Sequence, residues 1–278
     1  MIALLPIAIV LLIFVAYVLF TRWRDSRLRS KPFPDAWRAI LEAGMPVYGA
    51  LQVDEQDRLC QLIKRFIADK AFYGCGGLTI TDEIRVIIAA QASLLLINRG
   101  GHVYPRLTSI LVYPSAFRVA REQHQADGTV ASGDHHLLGE SWDNGRIILS
   151  WDDVEKGVHD FTDGHNVVLH EFAHQLDAES GSTNGAPALR NNSYQSWARV
   201  FSENFDNLKF RSLHGQSTVM DEYGTTNPAE FFAVATETFL EKPHQLHQVR
   251  PELFEELSRY YQVDPRKWTT QDAGGASR

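Results

Sequence analysis

The chain opens on the run "MIALLPIAIVLLIFVAYVLF", Met1 to Phe20, with no charged side chain. A helix of that length covers roughly 30 Å at 1.5 Å per residue, the thickness of a bilayer's hydrocarbon layer. The run predicts a transmembrane anchor over residues 1–20. A basic stretch, "TRWRDSRLRSK", follows at once, with Trp23 suited to an interface. A cleaved secretory signal needs a basic start and a small-residue cleavage site, and neither is present. The cationic flank is expected on the cytoplasmic side, which predicts a single-pass protein of the cytoplasmic membrane with its body facing the cytoplasm.

Beyond a basic juxtamembrane segment and proline-bearing linker (residues 21–45), the pattern becomes that of a folded domain over 46–268. "DEQDRLCQLIKRFIADK" places Leu59, Leu62, Ile63 and Phe66 at helical spacing, with Asp54 as cap. "TDEIRVIIAAQASLLLI" has Thr81 or Asp82 as cap and then a nearly unbroken apolar run, the mark of a buried helix. Between them, "GCGGL" lacks the spacing of a phosphate-binding loop and reads as a tight connection between two helices. Strand-like runs follow at Leu107–Pro114 and Arg146–Trp151, around a polar, glycine-bearing interval that holds His135 and His136. Helical spacing returns over 165–178, 192–210, 228–241 and 251–261, and residues 269–278 read as a disordered tail. The predicted class is α+β, helix-dominated, with a small sheet beside the 165–178 helix.

Charge narrows the functions open to this chain. Formal net charge is −7, yet residues 1–31 hold five basic residues and one acidic residue. The remainder therefore carries 22 basic against 33 acidic residues, a net of −11. An acidic body repels phosphate backbones, so nucleic acid is not expected as a partner. Two cysteines, Cys60 and Cys75, are too few for a disulfide framework or a four-cysteine metal module, and are compatible with a reducing compartment.

The chemistry concentrates in "VVLHEFAHQLD", Val167 to Asp177. Residues four apart share a helix face, so His170 and His174 can direct two imidazoles at one zinc ion. Glu171, one residue on, is turned away from ligation but within reach of a water at that ion, the place of a general base. Thr162 or Asp163 is expected to cap this helix. Asp177 stands where one class of zinc protease has glycine, and Ser180 where that class has its last histidine, so that class is excluded. Asp177 reads as an acceptor that orients an imidazole, or as a ligand itself.

A third ligand is offered by "DEYGTTNPAEFFAVATETFLEKP". Asn227 is a good N-cap and Pro228 suits the first helical position. Glu230 falls in the first turn, where a capping-box bond back to the backbone is its other reading. Glu237, two turns later on the same face, is its rival. Two histidines and one carboxylate leave one zinc position open for water, as catalysis requires.

Three runs in this order, "GLTITDEIRVIIAAQA", "VVLHEFAHQLD" and "NPAEFFAVATETFLE", make the chain resemble the zinc-dependent peptidases grouped as Mlc titration factor A, from about Pro46 to Arg266. The resemblance implies a zincin-like domain of the gluzincin group, similar in its catalytic core to anthrax lethal factor. It implies one Zn2+ held by His170, His174 and Glu230, with Glu171 as base. The family's tyrosine precedes its ligand glutamate by seven residues; Tyr223 stands in that place before Glu230, which selects Glu230 over Glu237 and gives Tyr223 the role of stabilising an oxyanion.

These readings converge on a zinc metallopeptidase, aminopeptidase-like, hydrolysing a peptide substrate. Asp221, Glu222 and Glu237 are candidates to receive a free amine, and the strand near "RIILSW" is a candidate to pair with substrate backbone. The family's name reflects binding to a glucose-responsive transcriptional repressor. The alternative is therefore a regulatory binding module that sequesters such a repressor, with catalysis secondary or absent.

Overall fold

The computed structural model describes residues 4–101, 103–115, 123–124, 130–131, 145–189 and 193–268. His135, His136 and the 269–278 tail lie outside the described residues. Helices α1 (Leu4–Ser30), α2 (Asp35–Gly44), α3 (Pro46–Ala50) and α4 (Val53–Asp69) precede strand β1 (Ala71–Gly74) and helix α5 (Asp82–Leu94). Strands β2 (Ser109–Tyr113), β3 (Gln123–His124), β4 (Val130–Ala131) and β5 (Arg146–Ser150) follow. The remainder is α6 (Trp151–His159), α7 (Val167–Ala178), α8 (Tyr194–Leu213), α9 (Pro228–Glu241), α10 (Pro243–Val249) and α11 (Pro251–Tyr261), with 3-10 turns at Glu222–Thr225 and Pro265–Lys267.

Strands β1, β2 and β5 form a parallel sheet in that order, with Ile110 opposite Phe72 on one side and Ile147 on the other. Strands β3 and β4 form a separate antiparallel pair. The helix-dominated α+β class with a small sheet holds. "GCGGL" does not join two helices, however: it leaves β1, whose four residues are too short to show an apolar period, and turns through Gly76 and Gly77 at positive φ. The run ending at Trp151 also divides, because Ser150 accepts a hydrogen bond from Asp153 N and so begins α6.

The transmembrane anchor expected at residues 1–20 is corrected. Among the described residues no helix is long and apolar enough to cross a membrane. The apolar run is not a separate element: α1 continues through Arg22, Arg24, Asp25, Arg27 and Arg29, and stops just before Pro32 and Pro34. Its second half docks on α4. Arg24 pairs with Asp69 at 2.8 Å and Arg65 with Asp25 at 3.5 Å. Lys64, buried, donates to the carbonyls of Leu28 and Lys31 at the C-terminal end of α1, where a cation is favoured. The single-pass localisation, with a catalytic domain facing the cytoplasm, rested on that anchor and falls with it.

Helices α5, α7 and α9 form the centre. Every residue of α9 from Ala229 to Glu241 is buried, as is nearly all of α5 and α7. Phe172 packs edge-on to Tyr104 with ring centroids 4.7 Å apart, and Trp197 stacks on Phe201 at 3.9 Å. Helices this enclosed keep a polar side chain only where it has partners or a task. Seen this way, the polar residues of α7 and α9 mark the place to look for chemistry.

Candidate metal centre

Helix α7 is capped by Asn166, whose Oδ1 accepts from Leu169 N at 3.1 Å; neither Thr162 nor Asp163 fills that role. Helix α9 starts as its sequence predicts, with Asn227 Oδ1 accepting from Ala229 N and Glu230 N at 2.9 and 3.0 Å. The cap is thus satisfied by Asn227, and the Glu230 side chain turns instead toward α7.

There it meets both histidines. His170 Nε2 lies 3.0 Å from Glu230 Oε2, His174 Nε2 lies 3.3 Å from the same oxygen, and the two Nε2 atoms are 3.2 Å apart. His170, His174 and Glu230 form a cluster whose donor atoms all lie within 4.8 Å of one another. Three ligands of a tetrahedral zinc at about 2.05 Å stand about 3.3 Å apart, so the triangle already has the dimensions of a metal-binding face. The second ring nitrogen is also engaged: His170 Nδ1 faces Glu237 Oε1 at 2.8 Å, so a neutral imidazole donating from Nδ1 would have its Nε2 lone pair free to ligate a metal.

Electrostatics in the cluster are strained in one direction. Burial alone pushes His170 down, but the Glu237 and Glu230 carboxylates overcome it and hold this imidazole well above the ordinary histidine range. His174, buried and facing the charge of His170, is lowered to about 4 despite its contact with Glu230. Glu230 is pushed up by burial and pulled down further by both histidines, to about 2. Without a metal, the His170 imidazolium is the charge that balances this carboxylate.

Glu171 is buried beside His170 on α7. Tyr223, half-exposed in the 3-10 turn before α9, has its ring centroid 6.0 Å from that of His170. Its hydroxyl is pushed above the ordinary tyrosine range by burial and by the charges of Glu230 and Glu171. The chain therefore brings His170, Glu171, His174, Tyr223 and Glu230 to one place.

Other candidates have their own partners outside the cluster. Asp177 stands outside the metal-type cluster, and its Oδ2 accepts from Gly185 N at 2.6 Å. Burial raises its carboxyl to about 6, against the backbone N–H groups of Gly185, Asn184 and Ala186. It anchors a loop in which Gly185 has φ +78° and sits so close to the Pro228 carbonyl that a Cβ would lie 2.3 Å from that oxygen. Asp221 caps the 3-10 turn through Tyr223 N at 2.7 Å, and exposed Glu222 accepts from Ser212 Oγ at 3.4 Å. Strand β5 has β2 as its one neighbour among the described residues.

Sequence reasoning missed a second buried layer behind His170. Glu237 Oε2 accepts from Asn166 N at 2.6 Å. Asn166 Nδ2 donates to Glu241 Oε1 at 3.0 Å and to Gln91 Oε1 at 2.8 Å, while Gly164 N donates to Glu241 Oε2 at 2.9 Å. Burial, reinforced by neighbouring acids, drives the Glu241 carboxyl up to about 9. The signal was present: three acids, Glu230, Glu237 and Glu241, on a helix otherwise made of apolar and small residues.

An enclosed helix pair presenting a His-Glu-x-x-His run to a carboxylate on a facing helix defines a metallopeptidase-type centre. The chain belongs to that class by descent as well: it is a member of the family described as "Glucose-regulated metallo-peptidase M90", which matches residues 20–262. It is 41% identical over 271 residues to the uncharacterized protein slr2042 of Synechocystis sp. (strain ATCC 27184 / PCC 6803 / Kazusa), covering 94% of this chain and 98% of that relative. It is 30% identical over 246 residues to Mlc titration factor A of Yersinia pestis (strain Pestoides F) and of Yersinia pseudotuberculosis serotype I (strain IP32953), covering 87% of this chain and 89% of each relative.

Proposed function

We propose that the protein is a zinc-dependent peptidase in which His170, His174 and Glu230 hold the metal and Glu171 is the general base. The observation that supports this most is the triangle of His170 Nε2, His174 Nε2 and Glu230 Oε2, with sides of 3.0 to 3.3 Å. When bound, zinc supplies Lewis-acid polarisation of a carbonyl and acidifies a water. The chain's own residues supply the rest. Glu171 takes the proton of the attacking water and delivers it to the leaving amine. Tyr223 donates its hydroxyl hydrogen to the oxyanion as the carbonyl becomes tetrahedral. Its raised pKa keeps that hydrogen in place at neutral pH. The buried wall of α5, α7 and α9 keeps bulk water from the rear of the site, so charges there act through a low dielectric.

Among peptides, an N-terminal substrate is the narrower reading: Asp221 and Glu222 directly precede Tyr223 in the chain and are the carboxylates a free amine would meet. The test is hydrolysis of a peptide panel, with free and blocked N-termini, by the zinc-loaded full chain and its Glu171→Gln variant. Cleavage by the wild type and a loss of roughly a hundredfold or more in the variant is expected. Equal rates in both would remove Glu171 from the mechanism, and faster cleavage of blocked peptides would remove the aminopeptidase reading.

A second reading rests on the relatives named Mlc titration factor A. By that name they titrate Mlc, and this chain would then sequester a protein partner of its own. Binding that survives complete metal removal would favour it over catalysis, because an interaction surface has no need of Glu171.

A further inference from the structure

We propose that Glu237 is a positioning residue for the metal centre: it holds His170 in the tautomer and ring orientation that present Nε2 to Glu230 and His174, and it ties that orientation to the entry of α7. This rests on the metal-centre reading above and assigns Glu237 a role different from the ligand or amine-binding roles its sequence position suggests.

The two oxygens of Glu237 are both engaged, and in different directions. Oε1 faces His170 Nδ1 at 2.8 Å, and Oε2 accepts from Asn166 N at 2.6 Å. Nδ1 and Nε2 lie on opposite sides of the imidazole, so a carboxylate on Nδ1 is behind the ring as seen from the metal face. Glu237 therefore cannot join Glu230 as a ligand without abandoning both bonds. With both oxygens engaged, it has none left for a substrate amine.

The consequence is mechanical as much as electrostatic. An imidazole that donates from Nδ1 to a fixed carboxylate has one tautomer and one ring angle. Here the carboxylate is itself fixed, because the backbone N–H of Asn166 grips its second oxygen. Asn166 in turn caps α7 through Leu169 N and is held by Gln91 and Glu241. Helix α9 thus supplies Glu230 in front of the ring and, two turns later, Glu237 behind it. Any sliding of α7 along α9 would break the Asn166 and His170 bonds together, so helix register and ligand orientation are set by the same side chain.

The test is zinc affinity of the full chain, by competition against a chromophoric chelator at neutral pH, for wild type, Glu237→Ala, Glu237→Gln and Lys64→Met. Far-UV circular dichroism and the melting temperature of the metal-free forms report folding separately. Glu237→Ala is expected to bind zinc roughly 10- to 100-fold more weakly. Glu237→Gln keeps one acceptor for Nδ1 and should recover part of that loss. Lys64→Met, in the α1–α4 seam away from the metal centre, should bind as wild type does. Nitrogen-15 spectra of the zinc-loaded forms should show His170 held as the Nδ1–H tautomer in wild type and averaging in Glu237→Ala. Affinity and tautomer unchanged in a folded Glu237→Ala would overturn the proposal. Should that variant fail to fold, unchanged affinity and tautomer in Glu237→Gln would overturn it equally. If the wild-type chain takes up no zinc, the metal-centre reading itself fails and this inference with it.

Discussion

Two helix pairs in this molecule hold charged side chains along their seam, and they do so on opposite terms. Between α1 and α4 the groups balance: Arg24 and Arg65 face Asp25 and Asp69, and Lys64 ends on two carbonyls. Between α7 and α9 they do not. Glu171, Glu230, Glu237 and Glu241 are all buried there, and the ion pairs of Glu230 and Glu237 are made with just two histidines, of which His174 is held neutral by burial. A balanced cluster explains itself as structure. An acidic, unbalanced one, inside a wall of apolar helices, is stable only with protons or a cation added. The difference separates a seam of the fold from a site that binds something.

The contrast breaks most visibly if the cation is not needed. His174→Ala, or chelation of the wild type, should abolish peptide hydrolysis, and metal analysis should show zinc lost from the variant. The next effect tests chemistry apart from binding. In Glu171→Gln, zinc content should stay near one per chain while kcat falls by roughly 100-fold or more, because the general base alone is removed. Tyr223→Phe should lower kcat by roughly a hundredfold with KM little changed, since an oxyanion donor acts only as charge develops.

A smaller effect sharpens the electrostatic side. Glu241 has a folded carboxyl near 9 against an ordinary value of 4.5. Between those pH values the native state holds a proton that the unfolded chain has released, so this group makes stability fall as pH rises, by at most about 1.4 kcal/mol per pH unit. Below 4.5 the two states are protonated alike and the penalty vanishes. In the metal-free protein, Glu241→Gln should therefore flatten the decline of melting temperature between about pH 5 and pH 9. On the balanced side, Lys64→Met should cost about 1–3 kcal/mol through the lost charged hydrogen bonds and leave zinc affinity unchanged. A change in zinc affinity there would blur the distinction between the two pairs.

How legible these regions were in the sequence follows from the same contrast. The 228–241 and 251–261 helices are read to the residue, because Asn227-Pro228 and Pro251 mark their starts. His170, Glu171 and His174 announce themselves because their spacing is a property of one helix. Glu230 needed a second helix to be folded against the first, and only the resemblance singled it out from Glu237. The layer of Glu237, Asn166, Glu241 and Gln91 was invisible as a network, since it joins four points scattered between residues 91 and 241. At the other end, hydropathy treated Met1–Phe20 as an element complete in itself. Backbone continuity decided otherwise: with no proline or glycine between Leu19 and Lys31 the helix runs on, and its charged half finds partners on α4. Strand β1 was missed because four residues between a helix and a glycine turn carry too little pattern, and its identity comes from pairing with β2.

Zinc K-edge X-ray absorption on the zinc-loaded full chain, beside Glu230→Ala, tests the central claim most directly. The account predicts one zinc per chain with two imidazole nitrogens and oxygen ligands at about 2.0–2.2 Å, and loss of an oxygen ligand or of the metal in the variant. A wild-type spectrum with sulfur or a single imidazole in the shell, or one that Glu230→Ala leaves unchanged, would contradict it.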